Sequence, residues 1–303
     1  MSKTCTLAGS WAIEAIRTQQ KAMKEQLDPL HRDDADAIHD MRVASRRLRA
    51  ILSENRKFLN KKLVRQVNED ARTVTRALGK ARELDVSIET LAKLREKAQD
   101  GAQAAADHVT QYLRGLRAAA APDVVTAVNT VESPGFDEGV QALCMDGLQK
   151  RTCYFRHAAK STFKLFSRVV EAHYDWQTEK SDEKLHRLRI AFKKFRYACE
   201  IYRDLYGSGM KGLINDLKDL QEALGDWHDY LVLRMYAEEA APSAPGQAVE
   251  GFQPLLQAIN KKARKHLETF EAVAGSFFAQ EKQEATFAFL VGDPCPGKRI
   301  EKH

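Results

Sequence analysis

Two eleven-residue stretches of this chain, 147 positions apart, carry one polar pattern. A fold for the sequence has to place both in the same kind of element. His39-x-x-Arg42-Val43-x-x-Arg46-Arg47-x-Arg49 superposes on His186-x-x-Arg189-Ile190-x-x-Lys193-Lys194-x-Arg196, matching the histidine and four basic positions. The same shift lays Arg17 on Lys164, Lys21 on Arg168 and Asp28 on Asp175. Past Gly207 the offset becomes 146, which aligns Arg65 with Lys211, Arg72 with Lys218, Leu78-Gly79 with Leu224-Gly225, Glu83 with Asp229 and Val86 with Val232. One deleted residue accounts for both registers.

The spacing inside each copy is helical. At about 100° per residue, positions i, i+3, i+7 and i+10 lie within an arc of about 80°. His39, Arg42, Arg46 and Arg49 therefore share a face, as do His186, Arg189, Lys193 and Arg196. Arg65 with Arg72, and Lys211 with Lys218, share faces at seven-residue spacing, and Arg17 and Lys21 are i,i+4 neighbours. Apolar residues on the two striped helices supply the core candidates: Met41, Leu48 and Leu52 in the first, Leu188, Ile190 and Phe195 in the second. Like charges stacked along a helix cost roughly a few tenths of a kcal/mol per pair, so a stripe built twice calls for an anion to offset the repulsion. A single basic run is ordinarily a solvated face paired with acids from its neighbours. What favours a shared anion-binding role is recurrence in phase among intervening residues that differ.

Hydrophobic residues at 44% and charged residues at 30% describe a folded chain with a core. Glycine and proline fall in clumps, and Ala, Leu, Glu, Lys, Gln and Arg fill the stretches between, so the expected fold class is all-α, with nothing that reads as a sheet. The pattern predicts a first four-helix half over 6–120, a linker over 121–136, a second four-helix half over 137–280 and a tail over 281–303. In the first half, a helix from Thr6 to Leu27 closes at Asp28-Pro29, and Asp33 or Asp34 caps a second reaching about Phe58. A third covers Lys61 to Lys97, with a kink at Gly79, and a fourth covers Ala102 to Ala119. In the second half, a long helix covers Asp137 to Tyr174, and Ser181 caps another ending near Tyr206. Gly207-Ser208-Gly209 turns the chain into a third, and the loop Ala241 to Gly251 precedes the last, Phe252 to Gln280.

The formal charge of +6, from 48 basic and 42 acidic residues, is mild, so the distribution of charge matters more than its total. Five cysteines without a C-x-x-C pair suggest neither a zinc knuckle nor a disulfide framework, and fit a reducing compartment. No signal peptide or long apolar span is visible, so the expected location is the cytoplasm, with no membrane partner. Gly292-Asp-Pro-Cys-Pro-Gly297-Lys298-Arg299 imitates a phosphate-binding loop, after a possible strand from Phe287 to Val291. Arg299 stands where Ser or Thr would hold magnesium, two prolines remove backbone donors, and no helix follows. Paired histidines invite a metal, yet no His-Glu-x-x-His or close His/Cys cluster occurs, and flanking arginines oppose a cation, so no metal and no cofactor are expected. His39 is followed by Asp40 but His186 by Arg187. Without a carboxylate at a shared offset, a phosphohistidine acceptor or phosphatase is a minor alternative to a non-enzyme, and the histidines are better suited to hydrogen-bonding a phosphate or a facing helix. Nucleic-acid backbone binding is the principal rival, since it uses the same phosphate electrostatics. It lacks stacking aromatics on the first stripe, while Phe192, Phe195 and Tyr197 in the second also suit a core.

At these residues the sequence resembles the CHAD family, the conserved-histidine α-helical domains. The pieces are His39-Asp40-Met41-Arg42-Val43-Ala44-x-Arg46-Arg47-Leu48-Arg49, the second copy from His186, and the motifs Leu78-Gly79-x-x-Arg82-Glu83 and Leu224-Gly225-x-x-His228-Asp229. The resemblance covers roughly residues 6 to 280. It implies two four-helix bundles related by a pseudo-two-fold axis, with a basic channel between them that binds inorganic polyphosphate, and it implies an association with polyphosphate granules. Carried over by position, the binding residues are His39, Arg42, Arg46, Arg47, Arg49, His186, Arg189, Lys193, Lys194 and Arg196. Arg17, Lys21, Lys164 and Arg168 join them from the first helix of each half, and the wall formed by Arg65, Arg72, Lys211 and Lys218 extends the surface. Arg82, aligned with His228, departs from the symmetry. Many relatives carry an attached triphosphatase-type domain marked by a Glu-x-Glu-x-Lys strand, which this sequence lacks, so the resemblance implies no hydrolysis.

Overall fold

The computed structural model describes residues 3–146 and 154–292. Among the described residues every regular element is a helix. In chain order these are α1 (Lys3–Lys24), α2 (Leu27–His31), α3 (Ala35–Asn55), α4 (Lys61–Arg95), α5 (Asp100–Ala119), α6 (Ala121–Glu132), α7 (Pro134–Asp146), α8 (Tyr154–Thr178), α9 (Asp182–Tyr206), α10 (Ser208–Ala240), α11 (Gly246–Phe277) and α12 (Gln280–Val291), with a 3-10 turn at Ala241–Ser243. Two compact units form: unit 1 is Met1–Arg151 with Gly225–Leu267, and unit 2 is Thr152–Leu224 with Glu268–His303. The division falls inside α10 and inside α11, so the units do not follow the two sequence repeats.

In unit 1, α3 starts where Asp34 Oδ1 accepts from the backbone N–H groups of Asp36 (2.8 Å) and Ala37 (3.1 Å). Such a cap contributes about 1 kcal/mol. α4 is capped by Asn60, whose Oδ1 accepts from Lys62 N at 3.0 Å and Leu63 N at 3.4 Å. Val64, Val67, Ala71, Val74, Leu78 and Ala81 are buried along it at alternating steps of three and four, a continuous apolar seam that crosses Gly79 without interrupting the helix. α3 lies along this seam with Met41, Leu48 and Leu52 fully buried. Ser45 Oγ and Thr75 Oγ1 hydrogen-bond at 2.9 Å and fix the register of the pair. On α5, Arg117 is 11% exposed and donates to Asp85 on α4 (2.8 Å) and to Asp33 (2.6 Å), a residue held at φ 55 just before α3. This ion group, buried at Arg117 and Asp85 and open at Asp33, ties the start of α3 to α4 and α5. Further along, a Cβ on Gly251 would stand 1.8 Å from the Gly101 carbonyl oxygen, so α11 and α5 approach through two glycines.

Unit 2 packs α8 against α9, with α12 on α8. Ser181 caps α9, accepting from Lys184 N at 3.4 Å. Here the core is aromatic: Phe166, Phe192, Phe195, Phe270 and Trp176 are fully buried, with Phe166 and Phe195 ring centroids 5.3 Å apart. α9 ends at Gly207, whose φ of 67 favours glycine, and α10 begins at the next residue, so the expected three-residue turn contracts to one.

Several expectations about elements are corrected. The stretch 121–136, expected as a linker, is α6 and the start of α7. Its two prolines open helices rather than break them, since a first-turn proline lacks only an N–H that has no helical partner. Val124, Ala127, Val128 and Val131 then bury one face of α6 on α4. Of the long helix expected from Asp137 to Tyr174, the described parts are helical, as α7 and α8, and residues 147–153 between them lie outside the described residues. Asp28-Pro29 sits inside α2, again in a first turn. α11 starts at Gly246 and continues through Pro254. The expected tail opens with α12, which makes the segment Phe287 to Val291 helical. Most of the loop-like stretch that follows, from Asp293 on, lies outside the described residues.

Candidate functional site

The stripe residues divide into two rows for a geometric reason. At about 100° per residue, Arg42 and Arg49 fall within roughly 40° of the buried Ile38, whereas His39 and Arg46 fall at least about 80° away. Arg189 and Arg196 bear the same relation to the buried Leu185. The structure follows this arithmetic: the Nε atoms of Arg42, Arg49, Arg189 and Arg196 are all shielded from solvent while the residues stay partly exposed. Their stems cover the rim of the core and carry the charge to its edge. For Arg49 and Arg196 the shielded Nε has no hydrogen-bond acceptor, and Arg196 Nη1 pairs with Glu200 at 3.2 Å. His39 and Arg47 are exposed, and so is Lys194, while Arg46, His186 and Lys193 are half-buried.

The charges act on one another. Burial lowers the His39 pKa below the ordinary value of 6.5, Arg82 and Arg42 push it the same way, and Asp40 and Asp36 oppose. His186 is lowered by burial, then by Arg189 and Lys193. Both rings are thereby held toward the neutral form, able to donate one hydrogen bond. Arg49 is lowered by burial, then by Arg72, Arg46 and Arg76, with Glu69 acting the other way. Glu69 also pairs with Arg72 at 3.3 Å.

α4 therefore brings cations to the α3 stripe: Arg72, expected from the repeat, Arg82, present in the motif, and Arg76, which the repeat does not reveal. Arg76 lies one turn past Arg72 on the same face, a usable signal. The repeat concealed it because Glu222 occupies the corresponding position.

Arg65, Lys164, Arg168, Lys211 and Lys218 are exposed on α4, α8 and α10. Lys21 is exposed and pairs with Glu25 at 3.7 Å. Arg17 hydrogen-bonds the Cys144 thiol, whose pKa burial nonetheless raises. Its neighbours Gln20 and Lys24 bond Asp137, so this side of α1 engages α7. Of the apolar expectations, Leu188 and Phe195 are fully buried, but Ile190 is 39% exposed. Ile190 falls nearly opposite Leu188, Phe192 and Phe195 around the helix, so phase overrides its apolar identity.

The Leu-Gly motif serves packing in unit 1. Its Glu83 accepts from Tyr236 Oη at 2.5 Å and pairs with Lys80 at 3.3 Å, beside a cavity of about 240 Å³ that Tyr112, Leu116, Met235 and Glu239 also line. Among the described residues there is no cluster of His, Cys, Asp and Glu suited to a metal ion, and no helix long and apolar enough to cross a membrane.

Comparison with solved structures places the fold. PptA from Streptomyces chartreusis matches with a TM-score of 0.68 at 19% identity, over 88% of this chain and 99% of that one. The CHAD domain from the plant Ricinus communis matches with a TM-score of 0.57 at 20% identity, over 94% of this chain and 91% of that one. Uncharacterized proteins from two strains of Mycobacterium tuberculosis are 24% identical over 287 residues, 83% of this chain. The chain spans about half, 51%, of the length of these curated relatives. The family profile described as the CHAD domain matches residues 14–238, which include both striped helices and both Leu-Gly motifs. On the extent of that match, the chain belongs to the CHAD domain family.

Proposed function

We propose that this protein binds inorganic polyphosphate along the basic faces of α3 and α9 and does not hydrolyse it. The observation that carries this reading is the repeated row of arginines at the core edge, Arg42 and Arg49 in one copy and Arg189 and Arg196 in the other, each with a shielded Nε. Arginine stems anchored in this way present guanidiniums with little freedom left to lose, suited to bidentate contact with successive phosphate oxygens. Arg46, Arg47, Lys193 and Lys194 add charge, and neutral His39 and His186 add a donor each. The family resemblance supplies the ligand. An extended polyanion of repeating phosphates suits a row that recognises charge and spacing and has no base to read. Burial of Phe192 and Phe195 in the unit 2 core leaves those rings unable to stack on nucleobases, which weighs against nucleic acid.

The test is a binding titration of long-chain polyphosphate with double-stranded DNA as competitor at matched salt. Polyphosphate is expected to bind tightly, more weakly as salt rises, and DNA to compete poorly; equal affinities would defeat the proposal. Incubation with polyphosphate and magnesium is expected to release no orthophosphate. Turnover abolished by His39→Ala would instead make the protein an enzyme. Granules of polyphosphate in the cytoplasm are the proposed place of action, testable by co-localisation of the tagged protein.

A further inference from the structure

We propose that the seam between α3 and α4 is a subsite for the terminal phosphate of a linear polyphosphate, held by Arg46, Arg49, Arg72 and Arg76. The inference deepens the polyphosphate reading and rests on it.

Geometry comes first. The Ser45–Thr75 hydrogen bond at 2.9 Å joins the two helices at mid-length. α4 follows α3 after a short connection and the two are pinned at mid-length, so they run antiparallel; Arg49, four residues past Ser45, and Arg72, three before Thr75, lie on the same side of the pin, where Arg46 and Arg76 also act on Arg49. On α4, Arg72 and Arg76 are i,i+4 and share a face. Four guanidiniums from two helices thus converge at one end of the stripe, where Glu69 engages Arg72. Arg49, with its Nε buried and lacking an acceptor, is the innermost.

Chemistry then selects the ligand. A cluster of like charges gains most from the anion with the highest charge on the smallest group. An internal phosphate is diester-like and carries about one negative charge. A terminal phosphate resembles a phosphomonoester, with about −1.5 to −2 charges near neutral pH and three acceptor oxygens. Several guanidinium forks can share such a group, whereas an internal phosphate offers only two free oxygens.

The second copy lacks this cluster. At the corresponding positions stand Lys193, Arg196, Lys218 and Glu222, and Arg196 is already paired with Glu200 at 3.2 Å. One subsite for a chain end, absent from its sequence repeat, gives a linear ligand a preferred anchoring point.

The experiment titrates the full chain with linear tripolyphosphate and with cyclic tetrametaphosphate, which carry similar charge, about four, near neutral pH. Only the linear ligand has ends. Linear binding is expected to be tighter by about tenfold, the scale of one charge-assisted hydrogen bond. Arg76→Ala, at an exposed position where folding is not at risk, is expected to bring the two ligands within about threefold, and Arg76→Lys to restore part of the difference. Equal binding of the two ligands, or a preference that survives Arg76→Ala, overturns the chain-end subsite. Long-chain polyphosphate titrated in parallel separates the two claims. If it binds while the preference is absent, only the subsite fails; if it does not bind, the polyphosphate reading fails and the subsite with it.

Discussion

Beside the α3 stripe, α4 places Arg72 and Arg76, and the pair of helices is pinned by a hydrogen bond between Ser45 and Thr75. At the corresponding positions of the second copy stand Lys218 and Glu222, and the pinning residues become Phe192 and Gln221. Phe192 turns into an aromatic core, 6.0 Å from Phe277 between ring centroids, while the Gln221 Nε2 is buried without an acceptor. The row of core-edge arginines is the same in both copies. Helix phase thus dictates which side chains stand over the rim of the core, and a duplication keeps it as long as length is kept. Charge density depends on what the neighbouring helix supplies, which is free to diverge.

The largest expected effect follows from that density. Replacing Arg42 and Arg46 by alanine should weaken long-chain polyphosphate binding on the order of 100-fold, two charge-assisted contacts at roughly 1.5 kcal/mol each. Replacing Arg189 and Lys193 should cost about tenfold, because the second stripe has lower charge around it. The fourfold variant should lose more than either pair and show a shallower salt dependence. Equal losses from the two pairs would erase the asymmetry, and unchanged affinity would remove the stripes from the site.

Acid should separate the units next. In unit 2, His173 stacks on Phe278 at 3.7 Å with ring planes 9° apart. Burial lowers its pKa from 6.5 to about 4, with Lys180 acting in the same direction. Between those values the unfolded chain binds a proton that the folded chain refuses. Stability from the neutral ring is therefore complete above pH 6.5 and lost as pH falls toward about 4. Hydrogen exchange in α8 and α9 should rise on acidification before that in α3 and α4. Phe in place of His173 should flatten the acid slope of thermal melting, and an unchanged slope would assign it to another group.

Much of this was legible in the residues. The Asp34 and Ser181 caps, the phase of both stripes and the burial of Met41, Leu48, Leu52, Leu188 and Phe195 follow from local chemistry and period. What escaped has identifiable causes. Ile190 has the hydrocarbon side chain of a core residue at an angle that opposes the core. Pro122 and Pro134 resemble linker signals until they are seen to sit in first turns. Arg76 was hidden because a repeat argument reveals only what both copies share. The bond of Arg17 to Cys144 was not legible, since it depends on α7, whose position on α1 no periodicity encodes. Nor does any local signal show that α10 and α11 each belong to both compact units, since a helix that passes from one unit to another keeps a single uninterrupted pattern.

The seam residues allow a smaller, sign-opposed test. Thr75→Val removes the cross-helix bond to Ser45 and should cost about 0.5–1 kcal/mol in urea unfolding, the Ser45 hydroxyl keeping its bond to the Arg42 carbonyl. Gln221→Leu removes an amide nitrogen that is already buried without an acceptor, and should be neutral or stabilising by about 1 kcal/mol. If both substitutions destabilise equally, the Gln221 amide is hydrogen-bonded in solution as the Thr75 hydroxyl is.

Glu222→Arg should have the smallest effect and bears most directly on why the copies differ. Glu222 is exposed and occupies the counterpart position of Arg76, so reversing its charge tests the neighbouring helix without disturbing the stripe. An exposed charge is worth up to about 1 kcal/mol, so long-chain polyphosphate should bind roughly threefold tighter. The gain should disappear at about 1 M salt, where screening acts within about 3 Å. Placed in the Arg189→Ala, Lys193→Ala background, the same reversal should give no gain, since the phosphates it would help to hold are no longer brought to α9. A gain that persists in that background would mean Glu222 acts on the ligand independently of the stripe, and charge density around the second copy would then be set by total charge rather than by what stands beside the core-edge arginines.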